Sequence, residues 1–190
     1  MKQLISSTIL LFLLCFASCN TRPSSDAGEN DGTASSPASV PVPEHKSNNS
    51  PLLYSAYCNK KLGFCVDYPS EILFPQGESA NGDEQLFKSK DGENTLWVFK
   101  DLRDNIQKFT LRDAYEEDSK GNNPDIPNSI ISYKKLGEDS YVLSGYNEGK
   151  IFHQKTILLN NQFITYLLQY NKSDQVLYNK IAENIFGPFK

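Results

Sequence analysis

The sequence predicts an α+β fold, an antiparallel β-meander packed with flanking helices, on three observations. Strand-like runs crowd residues 64–99 and 130–170 with short turns between them, the last run alternates apolar side chains with period two, and the chain closes on an amphipathic helical segment. The 190 residues hold one domain of ordinary size.

The amino-terminal segment reads differently from everything after it. Lys2 supplies a positive start, residues 9–16 are apolar and uncharged, and Ala17 and Ser18 place small residues before Cys19. This arrangement resembles the bacterial lipobox, in which signal peptidase II cuts before a diacylated cysteine. The resemblance implies a signal peptide over 1–18 and a palmitate-type lipid on Cys19. Cys15 fits less well, because Leu14 stands where Gly, Ala or Ser is needed. An ordinary secretory signal and a membrane anchor are the alternatives, although the apolar run is shorter than the roughly 20 residues of a spanning helix. Each buried acyl CH₂ contributes about 0.8 kcal/mol, so two or more chains hold a protein on a bilayer durably.

Residues 19–51 are expected to be the lipidated cysteine and a disordered tether. From 20 to 51 there is no Leu, Ile, Met or aromatic residue, so the segment cannot bury enough apolar surface to offset the entropy of ordering. As a flexible coil it reaches about 30 Å. His45 lies there, solvated. The net charge of −4 argues against a nucleic-acid partner, which needs clustered Lys and Arg.

The domain is expected over 52–190. Cys58 and Cys65 bracket a turn at 60–63, so a tight hairpin would set them face to face, and an exported compartment permits a disulfide. Two free buried thiols or a metal half-site are the alternatives; the spacing is not the two-residue spacing of zinc or redox motifs. A strand over 64–68 stops at Pro69, residues 71–74 are irregular, and 75–84 carry the Gly and Asn signals of a loop. Residues 85–89 and 95–99 flank Asp91-Gly92, a type I′ hairpin signal. Thr110 and Asp113 form a capping box for a helix that Gly121 ends. Strands over 130–134, 141–146, 151–159 and 163–170 follow as the meander, with Ile164, Tyr166, Leu168 and Tyr170 turned to one buried face. Ser173 caps the last helix, whose stripe is Leu177, Tyr178, Ile181, Ala182, Ile185 and Phe186, and Gly187-Pro188 stops it.

The run Gly63-Phe64-Cys65-Val66-Asp67-Tyr68-Pro69-Ser70 resembles the "G-F-x-φ-x-Y-P" opening of the PsbP-like superfamily. The close is similar too: the 163–170 strand, the turn at Asn171-Lys172-Ser173, the amphipathic helix and the terminal Pro188-Phe189-Lys190. The segments at 75–83 and 89–92 are similar to those of small bacterial exported proteins of unknown role. The resemblance implies an antiparallel sheet flanked by helices and an accessory or assembly role without catalysis. It brings no functional residue with it.

Residues able to do chemistry are few. His153 is the domain's one histidine, between Phe152 and Gln154 in a strand, and is read as solvated or hydrogen-bonded, with a general base as the alternative. Glu78, Asn81, Asp83 and Glu84 set oxygen ligands on one glycine-containing loop, a possible binding loop; their spacing is not that of an EF-hand. Glu116, Glu117 and Asp118 read as a solvated helix face. No P-loop, nucleophile elbow, dinucleotide fingerprint or zinc spacing occurs, and no cofactor or metal is expected. The expected function is a non-catalytic accessory or binding protein, lipid-anchored to a membrane of the bacterial cell envelope, periplasmic or surface-facing, with a protein or small ligand as partner. The alternatives are a small envelope hydrolase using His153 and a calcium-dependent binding module.

Overall fold

A computed structural model describes residues 51–105 and 108–187; the expected signal peptide, Cys19, His45 and all but the last residue of the expected tether lie outside them, as do residues 106–107 and 188–190. Strands β1 (Tyr54–Asn59) and β2 (Phe64–Pro69) form a two-stranded hairpin. Strands β3 (Phe74–Glu78), β4 (Glu84–Lys88), β5 (Thr95–Asp101), β6 (Ile130–Leu136), β7 (Ser140–Asn147), β8 (Lys150–Leu159) and β9 (Gln162–Asn171) build a seven-stranded sheet in the order β3-β4-β5-β9-β8-β7-β6, antiparallel throughout. Helix α1 (Leu111–Asp118) lies between β5 and β6 in the chain, and α2 (Gln175–Phe186) follows β9. The expected α+β class and four-strand meander are both present. What joins the meander to the β4–β5 hairpin is the long-range pairing of β5 with β9.

The run 63–70 has a physical reading in the hairpin. Gly63 adopts φ 76° to close the turn, which Asn59 holds by accepting from the amides of Lys61 and Leu62 at 3.0 and 2.9 Å. Phe64 and Val66 then alternate inward, while Cys58 and Cys65 stand directly opposite on the outer face and are disulfide-bonded. The bridge contributes about 2.5 kcal/mol for so short a loop. Pro69 ends the strand, and its carbonyl accepts from Ile72 and Leu73.

The sheet is covered on both faces. On one, Phe87, Leu96, Val98, Ile164 and Leu168 pack with Phe64 and Val66 of the hairpin and with Tyr178, Ile181 and Phe186 of α2. On the other, Phe99, Leu143, Phe152, Phe163 and Leu167 pack with Leu111 and Ala114 of α1 and with Ile126. The alternation Ile164, Tyr166, Leu168, Tyr170 is buried as expected, and so are the intervening Phe163, Thr165 and Leu167, because β9 is a central strand. Gly145 marks a close approach: a Cβ there would collide with the carbonyl of Ile130, beside the irregularity between Ile131 and Tyr133 on the edge strand β6.

Several local expectations are corrected. Residues 74–78, read in part as loop, form strand β3, because proline is compatible with a sheet edge and the irregularity between Pro75 and Glu78 absorbs Gly77 at φ 94°. Within the Asp91-Gly92 turn only Gly92 takes positive φ, with its amide bonded to the Ser89 carbonyl, so the hairpin turn is not type I′. The capping box at Thr110 and Asp113 forms, but α1 ends at Ser119, two residues before Gly121. Ser173 does not cap α2; a 3₁₀ turn, Lys172–Asp174, intervenes, and Asp174 occupies the cap position. Asn94 fixes that junction, donating to the Asp174 carboxylate at 2.8 Å and accepting from the Asn171 amide at 2.9 Å.

Candidate functional site

A buried polar network lies where β5 leaves the sheet. Alternation along β5 sends Trp97, Phe99 and Asp101 to the α1 side, and a 3₁₀ turn, Leu102–Asn105, then swings Arg103 back beneath the sheet end. The Arg103 guanidinium is gripped from two sides. Asp101 accepts from Nε at 2.9 Å and from Nη2 at 2.5 Å, and Asp118 accepts from Nη1 at 2.6 Å. Burial opposes the charge on Arg103, but the bonds to Asp101 and Asp118 outweigh it and hold the group protonated.

Asp118 is the hub of the network. Its side chain is fully enclosed and also accepts from the Tyr141 hydroxyl at 2.5 Å, Gln154 Nε2 at 2.8 Å and Asn123 Nδ2 at 3.3 Å. Burial, then the Asp118 charge, pushes the Tyr141 phenol above its ordinary range and keeps it a donor. Thr156 and Thr165 extend the network across β8 and β9. This overturns the reading of Asp118 as part of a solvated face with Glu116 and Glu117. The helical period carried the signal, since 111, 114 and 118 share one side of a helix; sequence reasoning grouped Asp118 by charge instead.

In front of this network opens a cleft of about 550 Å³, whose lining includes Asn81, Asp83, Glu84, Trp97, Phe99 and Asp125. Trp97 and Phe99, both in its lining, stack on each other with ring centroids 4.1 Å apart and planes 30° from parallel. Trp97 donates from Nε1 to Glu84 at 2.7 Å. Asp125, on the loop after Asn123, keeps its carboxyl raised to about 6, by desolvation and then by the charge of Asp101, with Arg103 opposing. Three of the four expected loop residues, Asn81, Asp83 and Glu84, line this cleft; Glu78 turns away and accepts from the Tyr57 hydroxyl at 2.6 Å. Sequence reasoning missed Trp97, Phe99, Asp101, Arg103 and Asp125.

The four loop residues do not form a calcium cage, which needs six to eight converging oxygens. Asp83 is salt-bridged to Lys61 at 2.5 Å, Glu84 holds Trp97 and Glu78 holds Tyr57. Among the described residues no group of three or more His, Cys, Asp and Glu could hold a metal ion.

His153 sits on the opposite face of the sheet beside a smaller cavity of about 240 Å³ lined by Tyr133, Ser144, His153, Asn179 and Glu183. Tyr170 donates to Asn179 at 2.6 Å, so its oxygen accepts from His153 Nε2 at 2.8 Å, leaving Nδ1 to accept from the Ser144 hydroxyl at 2.7 Å. Desolvation pushes the imidazole down to about 4. It is therefore neutral at pH 7 and a weak base, the opposite of the tuning that general-base catalysis needs.

A proton-linked stability effect follows. Because the folded-state value lies below the unfolded value near 6.5, the contribution is complete above that value and is lost as pH falls toward 4. Urea unfolding at pH 7.5 and 5.0 should show the native chain losing about 2 kcal/mol more over this interval than His153→Gln. Equal losses would show that the imidazole is not desolvated.

No family model and no curated protein sequence matches the chain. Among solved structures, the solution structure of cyanobacterial PsbP (CyanoP) from Synechocystis sp. PCC 6803 superposes with a TM-score of 0.50 over 72% of this chain and 94% of that one, at 15% identity. The fold is PsbP-like. The PsbP-like domain also superposes on a Pseudomonas aeruginosa protein of unknown function, PA94, with a TM-score of 0.42 at 9% identity, covering 72% of this chain and 96% of that one. Among the described residues of the PsbP-like domain no helix is long and apolar enough to cross a membrane.

Proposed function

We propose that the chain is a lipid-tethered, non-catalytic accessory protein of the bacterial cell envelope that holds a protein partner or small ligand in the Trp97 cleft. The observation that carries this reading is the make-up of the cleft. Its stacked Trp97–Phe99 pair is preformed, and Arg103, Asp83 and Glu84 are bound to neighbouring side chains instead of being poised to attack or to shuttle protons. Cys19 supplies the anchor through its acyl chains. Growth with labelled palmitate tests the anchor. The wild-type chain should carry label and sediment with membranes, and Cys19→Ala should lose the label and become soluble. Recovery of unlabelled wild-type protein in the soluble fraction would sink the proposal.

A hydrolase centred on His153 draws support from one observation, the 2.7 Å contact with Ser144. Labelling of Ser144 by a fluorophosphonate, lost in His153→Gln, would favour it over the binding reading.

A further inference from the structure

We propose that residues 188–190, which follow α2, fold back over strands β6, β7 and β8 and seat Phe189 in the groove beside that helix, against Tyr133, Val142 and Phe186. The inference is independent of the lipid anchor and of the Trp97 cleft.

The groove lies on the α2 side of the sheet. Cross-strand pairing sets Tyr133, Ser144 and His153 in one row and Lys135, Val142 and Lys155 in the next. Two cavities follow the flank of the helix over these rows. One, of about 190 Å³, is bordered by Val142, Lys155, Phe186 and Gly187; the other is the His153 cavity of about 240 Å³, bordered by Asn179 and Glu183. Tyr133 borders both, and positions 179, 183 and 186 fall on one side of the helix, so the two cavities are stretches of a single groove. Val142 is half-buried there, yet it belongs to neither of the two apolar cores among the described residues.

The occupant follows from where the described chain stops. Gly187 leaves the helix at φ 84° and itself borders the 190 Å³ cavity. Two residues span at most about 7 Å between Cα atoms, so Phe189 starts within reach of that cavity. Pro188 holds φ near about −65°, which lowers the entropy lost on ordering so short a segment. Both cavities are smaller than the roughly 300 Å³ at which small-molecule sites begin, which suits one aromatic side chain better than a ligand. Seating the ring there takes apolar surface of Phe189 and of Val142 out of water together.

Nuclear magnetic resonance on the full-length chain in mild detergent tests the placement. Overhauser contacts between the Phe189 ring and the Val142 methyl groups are expected within one chain. Phe189→Ala should shift the Val142 methyl resonances, leave those of Ile126 in the opposite core in place, and lower the folding equilibrium constant by at least about tenfold. Phe189→Leu should restore most of that loss. The contact in the wild-type chain decides the matter even where the alanine variant does not fold. Contacts that appear only between isotope-labelled and unlabelled chains in a mixed sample would put a second copy's segment in the groove and overturn the inference. Absence of any contact would leave Phe189 in solvent and overturn it as well.

Discussion

Arg103→Met is expected to lower the unfolding free energy by about 3–5 kcal/mol, because it leaves Asp101 and Asp118 buried without their shared cation. Their side chains are only 6% and 0% exposed, so water cannot replace the guanidinium. Much of the effect is the penalty of uncompensated carboxylates, so the chain carrying both Arg103→Met and Asp118→Asn should be more stable than the sum of the two single losses implies. A double-mutant cycle in urea reads this directly. Additive losses, or a single-variant loss below about 1 kcal/mol, would mean that the network is solvated.

Ending the chain at Asp174 is expected to abolish cooperative folding. Helix α2 places Tyr178, Ile181 and Phe186 on the core face formed by the sheet and the β1–β2 hairpin. At about 1.5–3 kcal/mol for each large apolar side chain, their loss is comparable to the 5–15 kcal/mol that typically holds a domain together. The milder Ile181→Ala should remain folded and cost about 2–5 kcal/mol, since the side chain is fully buried and the cavity it leaves is closed by hairpin and sheet. Circular dichroism and thermal unfolding distinguish the two variants. A truncated chain with a sharp melting transition would show that the hairpin and sheet close their core without the helix.

The candidate site was far less legible than the fold. Asn81, Asp83 and Glu84 drew attention as a polar glycine-containing loop and do border the cleft, but they share it with the stacked Trp97 and Phe99 of the neighbouring strand. Asp101 shares the strand face of Trp97 and Phe99, and Asp118 shares the helix face of Leu111 and Ala114, so local periodicity could have placed both indoors. Nothing local pairs them, because Arg103 bonds Asp101 two residues away and Asp118 fifteen residues away across an intervening turn. The Ser144–His153–Tyr170–Asn179 chain was invisible for the same reason: it runs from β7 through β8 and β9 to α2.

Sequence by itself determined the α+β class, the hairpin that sets Cys58 opposite Cys65, the four-strand meander and the two amphipathic helices, because turn chemistry and period-two or period-3.6 burial act over a few residues. Tertiary structure alone decided that β5 pairs with β9, that both faces of the sheet are covered, and that Asp118 is a hub instead of a surface charge. Those outcomes depend on which distant segments share a low-dielectric interior, where a carboxylate must find a cation and several donors, and that requirement has no counterpart in any local pattern.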